Sequence, residues 1–259
     1  MSTRRPGELD TPGSQTVLVV LPAYNEAENL AAVLQALAGA GLDARMTLRA
    51  IVVNDGSSDS TGVVASNYSG NIPLTLIDHP RNLGLGAAIR SGLLRAVDLA
   101  SDRDIVVTMD ADDTHTPAAI AEMVSRINAG CDVVIASRYR PGSSVVGVPL
   151  HRRFLSSAAS LLFRSVFPTA GVRDFTCGYR AYRASVLRQA FARYHEDFVN
   201  EEGFQCMVDI LLKLRRMKLR FSEVPLVLRY DRKGGKSKMK VVRTAFKTLD
   251  LMLRRRLES

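Results

Sequence analysis

Ile105-Val106-Val107-Thr108-Met109-Asp110-Ala111-Asp112 runs an apolar strand directly into two carboxylates. Side chains at i and i+2 of an extended segment point the same way, so Asp110 and Asp112 can aim at one point. Two hard anionic ligands at a strand end suit Mg²⁺ or Mn²⁺ carrying a diphosphate. The plain alternative is a polar loop closing a strand, because Asp-x-Asp also arises by chance. The surrounding sequence decides between the two.

Working toward the N-terminus, strands and helices alternate. The patterns predict strands over Thr16–Leu21, Leu48–Asn54, Ile72–Ile77, Ile105–Met109 and Cys131–Ala136. Between them fall helices over Glu26–Gly39, a short one from about Asp59, Leu85–Ala100 and Pro117–Ala129, the last with Pro in its first turn. Near-continuous apolar strands separated by helices imply an α/β fold whose mainly parallel sheet is covered on both faces. In such sheets ligands bind beyond the carboxyl ends of the strands. Pro22-Ala23-Tyr24-Asn25-Glu26, Asn54-Asp55-Gly56-Ser57-Ser58, Asp110-Ala111-Asp112 and Ser137-Arg138-Tyr139 all stand at those ends.

Toward the C-terminus the pattern changes. Pro141–Pro149 reads as a loop and Phe154–Phe167 as an apolar stretch with few charges. Ala181–Ala192 and Phe204–Met217 read as helices, and Leu219–Tyr230 holds a strand broken at Pro225. Asp231–Lys240 is a basic Gly-rich loop. Val241–Leu257 reads as a basic amphipathic helix whose stripe is Val242, Ala245, Phe246, Leu249 and Leu253. The organisation predicted is a tail over 1–15, one domain over 16–240 and the helix over 241–259.

Composition narrows the function. The 259 residues are 46% hydrophobic and 24% charged, enough apolar material for a substantial core. Net charge is +9, which calls for an anionic partner: a nucleotide, a phospholipid surface or a nucleic acid. The acidic strand-end cluster argues against nucleic acid. Cys131, Cys177 and Cys206 are odd in number and lack close spacing, so packed thiols in a reducing, cytoplasmic compartment are expected. The N-terminus lacks the apolar core of a secretory signal, and no stretch approaches the roughly 18 apolar residues of a membrane span. Membrane contact is therefore expected to be peripheral, on the cytoplasmic face. Gly84-x-Gly86 lacks the third glycine of a dinucleotide fingerprint, and Lys236-Ser237-Lys238 does not open a Walker helix. His115 and His151 are read as solvated or hydrogen-bonded side chains rather than metal ligands.

The strand-end motifs, taken together, resemble family 2 glycosyltransferases of the GT-A fold. The likeness continues through Arg81-Asn82-Leu83-Gly84-Leu85-Gly86-Ala87, Arg180 and Asp231-Arg232-Lys233-Gly234-Gly235-Lys236-Ser237-Lys238, and is nearest to the dolichyl- and polyprenyl-phosphate mannosyltransferases. The resemblance implies transfer of a hexose, with inversion, from a nucleotide sugar such as GDP-mannose to a polyprenyl phosphate, with Mg²⁺ or Mn²⁺ as cofactor. It implies that Pro22, Tyr24, Glu26 and Asp55 line the nucleotide pocket and that Asp110 and Asp112 hold the metal. Arg138, Arg152, Arg180, Asp209 and Ser237 then serve the phosphates or the acceptor, and Asp112, Arg232 and Lys238 act in catalysis. A membrane-protein partner is a further implication, since some relatives carry membrane spans of their own.

Two positions depart from the pattern. Thr114 stands where Gln is frequent, and Asn54 stands where many relatives have Asp. Three alternatives stay open: another nucleotide sugar (UDP-glucose or UDP-N-acetylglucosamine) or a soluble acceptor, a nucleotidyltransferase, and a non-catalytic protein that binds anionic ligands.

Overall fold

The computed structural model describes residues 14–232 and 241–257. The chain runs through β1 (Gln15–Ala23), α1 (Ala27–Ala38), β2 (Met46–Asn54), α2 (Thr61–Ser66), β3 (Leu74–Asp78) and α3 (Leu85–Leu99). It continues through β4 (Ile105–Thr108), α4 (Ala119–Asn128), β5 (Val133–Ser137), β6 (Ser144–Val146) and α5 (Leu150–Val166). Last come β7 (Arg180–Arg183), α6 (Ala184–Tyr194), α7 (Gln205–Arg215), β8 (Phe221–Pro225), β9 (Val227–Arg229) and α8 (Val241–Leu257).

Seven strands form one sheet in the order β3-β2-β1-β4-β7-β5-β8, and β6 pairs with β9 in a small second sheet. The central strands are apolar throughout because both faces are covered: Val17 to Leu21, Ile51 to Val53 and Ile105 to Val107 are all at most 1% exposed. Helix α3 reaches the sheet through Gly92, where an added Cβ would collide with the Val20 side chain.

One prediction is corrected here. Ala181–Ala192 reads as a single helix, but its first residues form β7, antiparallel to both β4 and β5. Ala181 opposes Val107 and Val134, so the slot between two parallel strands sets its backbone. The expected loop after Pro141 also contains β6, which is only three residues long. The remaining elements keep their predicted identity, with ends shifted by a few residues.

The C-terminal helix has the predicted limits but a different inner face. Leu251 and Met252 are buried and Arg255 reaches across to α7, whereas Phe246, Leu249 and Leu253 are 70%, 41% and 62% exposed. These three residues of the predicted stripe thus lie opposite the docked face. The α5 stretch is divided: Phe163 and Phe167 are buried, with Phe163 stacked on both Phe167 and Phe175, while Leu161 and Leu162 are exposed. No helix among the described residues is long and apolar enough to cross a membrane. All three cysteines are free thiols, and burial pushes Cys177 and Cys206 up to about 12, so neither is a reactive thiolate.

Candidate active site

The carboxyl ends of β1, β2 and β4 lie side by side, and hydrogen bonds lace their loops together. The Asp55 N–H donates to Ala23 O at 2.8 Å. The Asn25 N–H donates to Ser57 Oγ at 2.9 Å, and Ser58 N–H returns to Asn25 Oδ1 at 2.8 Å. The Glu26 N–H donates to Thr61 Oγ1 at 2.8 Å, and its Oε2 accepts from Asn29 Nδ2 at 2.7 Å. Pro22, Tyr24, Glu26 and Asp55 are therefore brought to one edge, with Tyr24 37% exposed and Asp55 only 3%.

Strand β4 ends at Thr108, but Met109 N–H still bonds Val20 O at 3.1 Å. Beyond it the chain bends, and Asp113 takes a φ of 58°. The acidic pair consequently sits on a tight turn rather than an extended segment. Asp110 keeps 38% of its side chain exposed, while Asp112 is nearly buried. The Thr114 hydroxyl donates to Asp112 Oδ1 at 2.7 Å, and the Thr114 N–H approaches the same oxygen at 3.2 Å. Thr114 is thus spent on orienting Asp112. His115 is buried against Tyr179 and its Nδ1 accepts the Asp110 N–H at 3.3 Å, which makes it a brace for the turn, hydrogen-bonded as expected. The described donors at the turn are hard carboxylate oxygens, which fit Mg²⁺ or Mn²⁺. Among the described residues no trio of His, Cys, Asp or Glu converges into a closed metal cage.

The second sheet ties β9 to this turn. Arg229 N–H donates to Thr114 O at 2.9 Å, and His115 bridges Leu228. Arg229 and Asp231 form a two-bonded ion pair, with Nε–Oδ1 at 2.9 Å and Nη2–Oδ2 at 2.8 Å, that holds the Asp231 carboxyl below its ordinary range. Arg232 is exposed just beyond. Ser237, Lys238 and the Arg152 side chain lie outside the described residues.

Three site residues expected from sequence have their charges engaged within the protein. Arg180 is fully buried in β7 and donates to Met207 O and Phe175 O at 2.6 and 2.8 Å, so it ties core backbone together instead of meeting a phosphate. Asp209 is buried on α7, with both oxygens held by Arg255 at 2.6 and 3.1 Å and Lys213 at 2.5 Å. Its carboxylate serves the docking of α8. Arg138 stays near the edge, but its guanidinium grips buried Asp174 through Nε–Oδ2 at 2.8 Å and Nη2–Oδ1 at 2.6 Å. Burial alone would raise the Asp174 carboxyl; Arg138 overrides this and holds it below the usual carboxylate range.

The Asn54 departure has a local explanation. Asn54 Nδ2 donates to Asp78 Oδ1 at 2.8 Å and its Oδ1 approaches the Ser57 N–H at 3.2 Å. An Asp at this position would face a second carboxylate. Asn54→Asp is expected to destabilise the protein by about 1–2 kcal/mol at neutral pH. The like-charge pair raises one carboxyl above its unfolded value, so the penalty holds above that raised pKa and is relieved as pH falls through it. Urea melts at pH 7.5 and 4.5 check this, and equal stability loss at both would refute the charge argument.

A family model, "Glycosyl transferase family 2", matches residues 18–191. This chain belongs to glycosyl transferase family 2. As a family 2 glycosyltransferase it is 32% identical over 250 residues to the polyprenol monophosphomannose synthase of Mycolicibacterium smegmatis, covering 95% of this chain and 90% of that one. It is 34% identical to the undecaprenyl-phosphate mannosyltransferase of Micrococcus luteus, covering 86% and 87%. The dolichol-phosphate mannosyltransferase of Pyrococcus furiosus is 31% identical, across 86% of this chain and 59% of that longer one. Among solved structures, glucosyl-3-phosphoglycerate synthase of Mycobacterium tuberculosis in complex with Mn²⁺, UDP and glucosyl-3-phosphoglycerate superposes with a TM-score of 0.66 at 19% identity, covering 98% and 86%. That likeness establishes the fold of this glycosyltransferase as the GT-A type of α/β sheet. The sequence missed His79 and Asp174, which touch Asp55 and Arg138, and Ser91, which backs His79; an isolated His or Ser gives no local signal of its partner.

Proposed function

We propose that this glycosyltransferase moves mannose from GDP-mannose to a polyprenyl phosphate, inverting the anomeric centre. The observation that carries the reading is that three relatives, each matched over at least 86% of this chain, bear names of mannosyl transfer to a polyprenol-type phosphate. In this reading Pro22, Tyr24, Glu26 and Asp55 line the nucleotide pocket, and Asp110 and Asp112 hold Mg²⁺ or Mn²⁺. A divalent cation there supplies positive charge for a departing diphosphate. Arg232, tethered to the Asp112 turn through β9, adds charge at the same edge, and Arg152, Ser237 and Lys238 keep the phosphate and catalytic roles that the resemblance implies. Arg138 contributes by holding the Ser137–Tyr139 segment in place. The acceptor oxygen already belongs to a phosphate with a second pKa of roughly 6. It is largely ionised at neutral pH and needs no general base.

The test is a panel of GDP-mannose, UDP-glucose and UDP-N-acetylglucosamine against a polyprenyl phosphate and a soluble phosphate acceptor, with products identified by mass. Mannosyl lipid phosphate is expected from GDP-mannose. Transfer confined to a UDP-sugar or to the soluble acceptor would overturn the reading, and nucleotide binding without any transfer would leave only the binding-protein alternative.

The lipid acceptor also calls for a surface that meets the bilayer, directly or through a membrane-protein partner. Helix α8 offers one: Phe246, Leu249, Leu253 and Leu257 are exposed along a single stripe, with Arg256 beside it. Arg254 and Arg255 are occupied with Glu201, Asp250 and Asp209 and hold the helix to the body. Replacing both would undock the helix, so they do not report on lipid. Phe246→Ser with Leu253→Ser is expected to cut co-sedimentation with anionic vesicles about tenfold or more while leaving the melting temperature unchanged. Undiminished binding would remove α8 from the membrane contact.

A further inference from the structure

We infer that His79, clamped between Asp55 and Ser91, is a positioning residue that fixes the Asp55 carboxylate for nucleotide binding. The inference rests on the placement of Asp55 in the nucleotide pocket proposed above. His79 Nδ1 lies 2.7 Å from Asp55 Oδ1, and His79 Nε2 lies 2.9 Å from Ser91 Oγ on α3. Both ionisable side chains are nearly buried, at 9% and 4% exposure. The His79 N–H also donates to Asn54 O at 2.9 Å, which ties the residue to the end of β2.

The tautomer follows from the partners. An ionised carboxylate only accepts, so Nδ1 carries the proton toward Asp55. Nε2 then meets a hydroxyl that can donate to a neutral ring or accept from a charged one.

Asp55 has two further donors, the Leu83 N–H to Oδ1 at 3.0 Å and the Gly84 N–H to Oδ2 at 2.9 Å. Among the described residues, His79 is the one side chain that bonds this carboxylate. The two amides belong to the turn that opens α3, and that turn packs on the Asp55 loop so closely that a Cβ on Gly56 would overlap the Arg81 backbone. Removing the imidazole leaves a buried carboxylate one donor short on Oδ1, with a single amide on each oxygen. The change is then felt at Asp55 and in the 81–84 turn, at the nucleotide end of the pocket and away from the Asp110–Asp112 turn. A nucleotide-affinity effect without a turnover effect is the expected signature.

The amide variants separate positioning from packing. In His79→Asn the side-chain N–H takes the place of Nδ1, toward Asp55. In His79→Gln it takes the place of Nε2, toward Ser91. Affinity for GDP and for UDP is measured by titration calorimetry on the full chain, beside melting temperature and steady-state kinetics. His79→Asn is expected to bind the preferred nucleotide within threefold of wild type. His79→Gln and His79→Leu are expected to bind it at least tenfold more weakly, with kcat at saturating donor within twofold. Equal affinity in the Asn and Gln variants, or a lowered melting temperature with unchanged affinity, would reduce His79 to packing and overturn the inference. Asp55→Asn distinguishes the two levels. If it binds nucleotide like wild type, the pocket assignment itself fails. If it binds weakly while His79→Gln binds normally, only the positioning role fails.

Discussion

Asp112→Asn is expected to lower sugar transfer by about 10²–10³-fold while leaving the melting temperature within a few degrees of wild type. Asn has the shape of Asp, and its carbonyl oxygen can still accept the Thr114 hydroxyl, which now lies 2.7 Å from Oδ1. The turn set by Asp113 and braced by His115 should persist. What disappears is one negative charge at a site where the partly exposed Asp110 supplies the other. Steady-state transfer assays, with a Mn²⁺ or Mg²⁺ titration beside them, check the prediction. The variant should lose turnover and shift to higher metal demand. Wild-type turnover with unchanged metal dependence would remove Asp112 from the chemistry and leave it a turn residue. Thr114→Val is a milder companion: it keeps the charge and loses only the hydroxyl that aims it.

Arg138→Met is expected to destabilise the fold by about 3–5 kcal/mol, the range for a buried ion pair that loses one partner. Asp174 is 0% exposed, and without the Arg138 guanidinium its carboxylate retains only the backbone N–H of residue 138 and the Thr176 and Cys177 contacts. The pH dependence gives the sign. In wild type the folded Asp174 pKa lies below the unfolded value, so the pair stabilises above that unfolded value and the benefit is lost as pH falls through the folded pKa. In the variant, burial is opposed only by the remaining amide and hydroxyl donors and is expected to raise the folded pKa, so the charged form is penalised and the deficit shrinks as the medium becomes acidic. Chemical denaturation at pH 7.5, 5 and 3 measures both effects, the wild-type loss falling in the most acidic step. A variant as stable as wild type but poor in turnover would return Arg138 to the phosphate role expected from sequence.

Local pattern alone determined the elements that pack a two-faced parallel sheet. Val17–Leu21, Ile51–Val53 and Ile105–Val107 are apolar at every position, and only a strand covered on both sides needs that. The strand-end placement of Tyr24, Asp55, Asp110 and Asp112 followed from the same pattern, because α/β connectivity sends each such end to one edge. The limits of α8 were legible because a 3.6-residue period over Val241–Leu257 has no competing reading.

The tertiary structure decided what the period cannot express. Ala181-Tyr182-Arg183 is a strand because a slot between β4 and β5 offers it hydrogen bonds, although the residues that follow are helical. The outward turn of Phe246, Leu249 and Leu253 was decided by Arg255 reaching Asp209, 46 residues away, which docks the opposite face of α8. Arg138, Arg180 and Asp209 carry charges that the resemblance assigns to ligands, yet each is bound within the protein by at least one group distant in sequence: Asp174, Met207 O and Arg255. A charge advertises that it needs a partner, but which partner it meets depends on distances in three dimensions, and those exist only once the chain has folded.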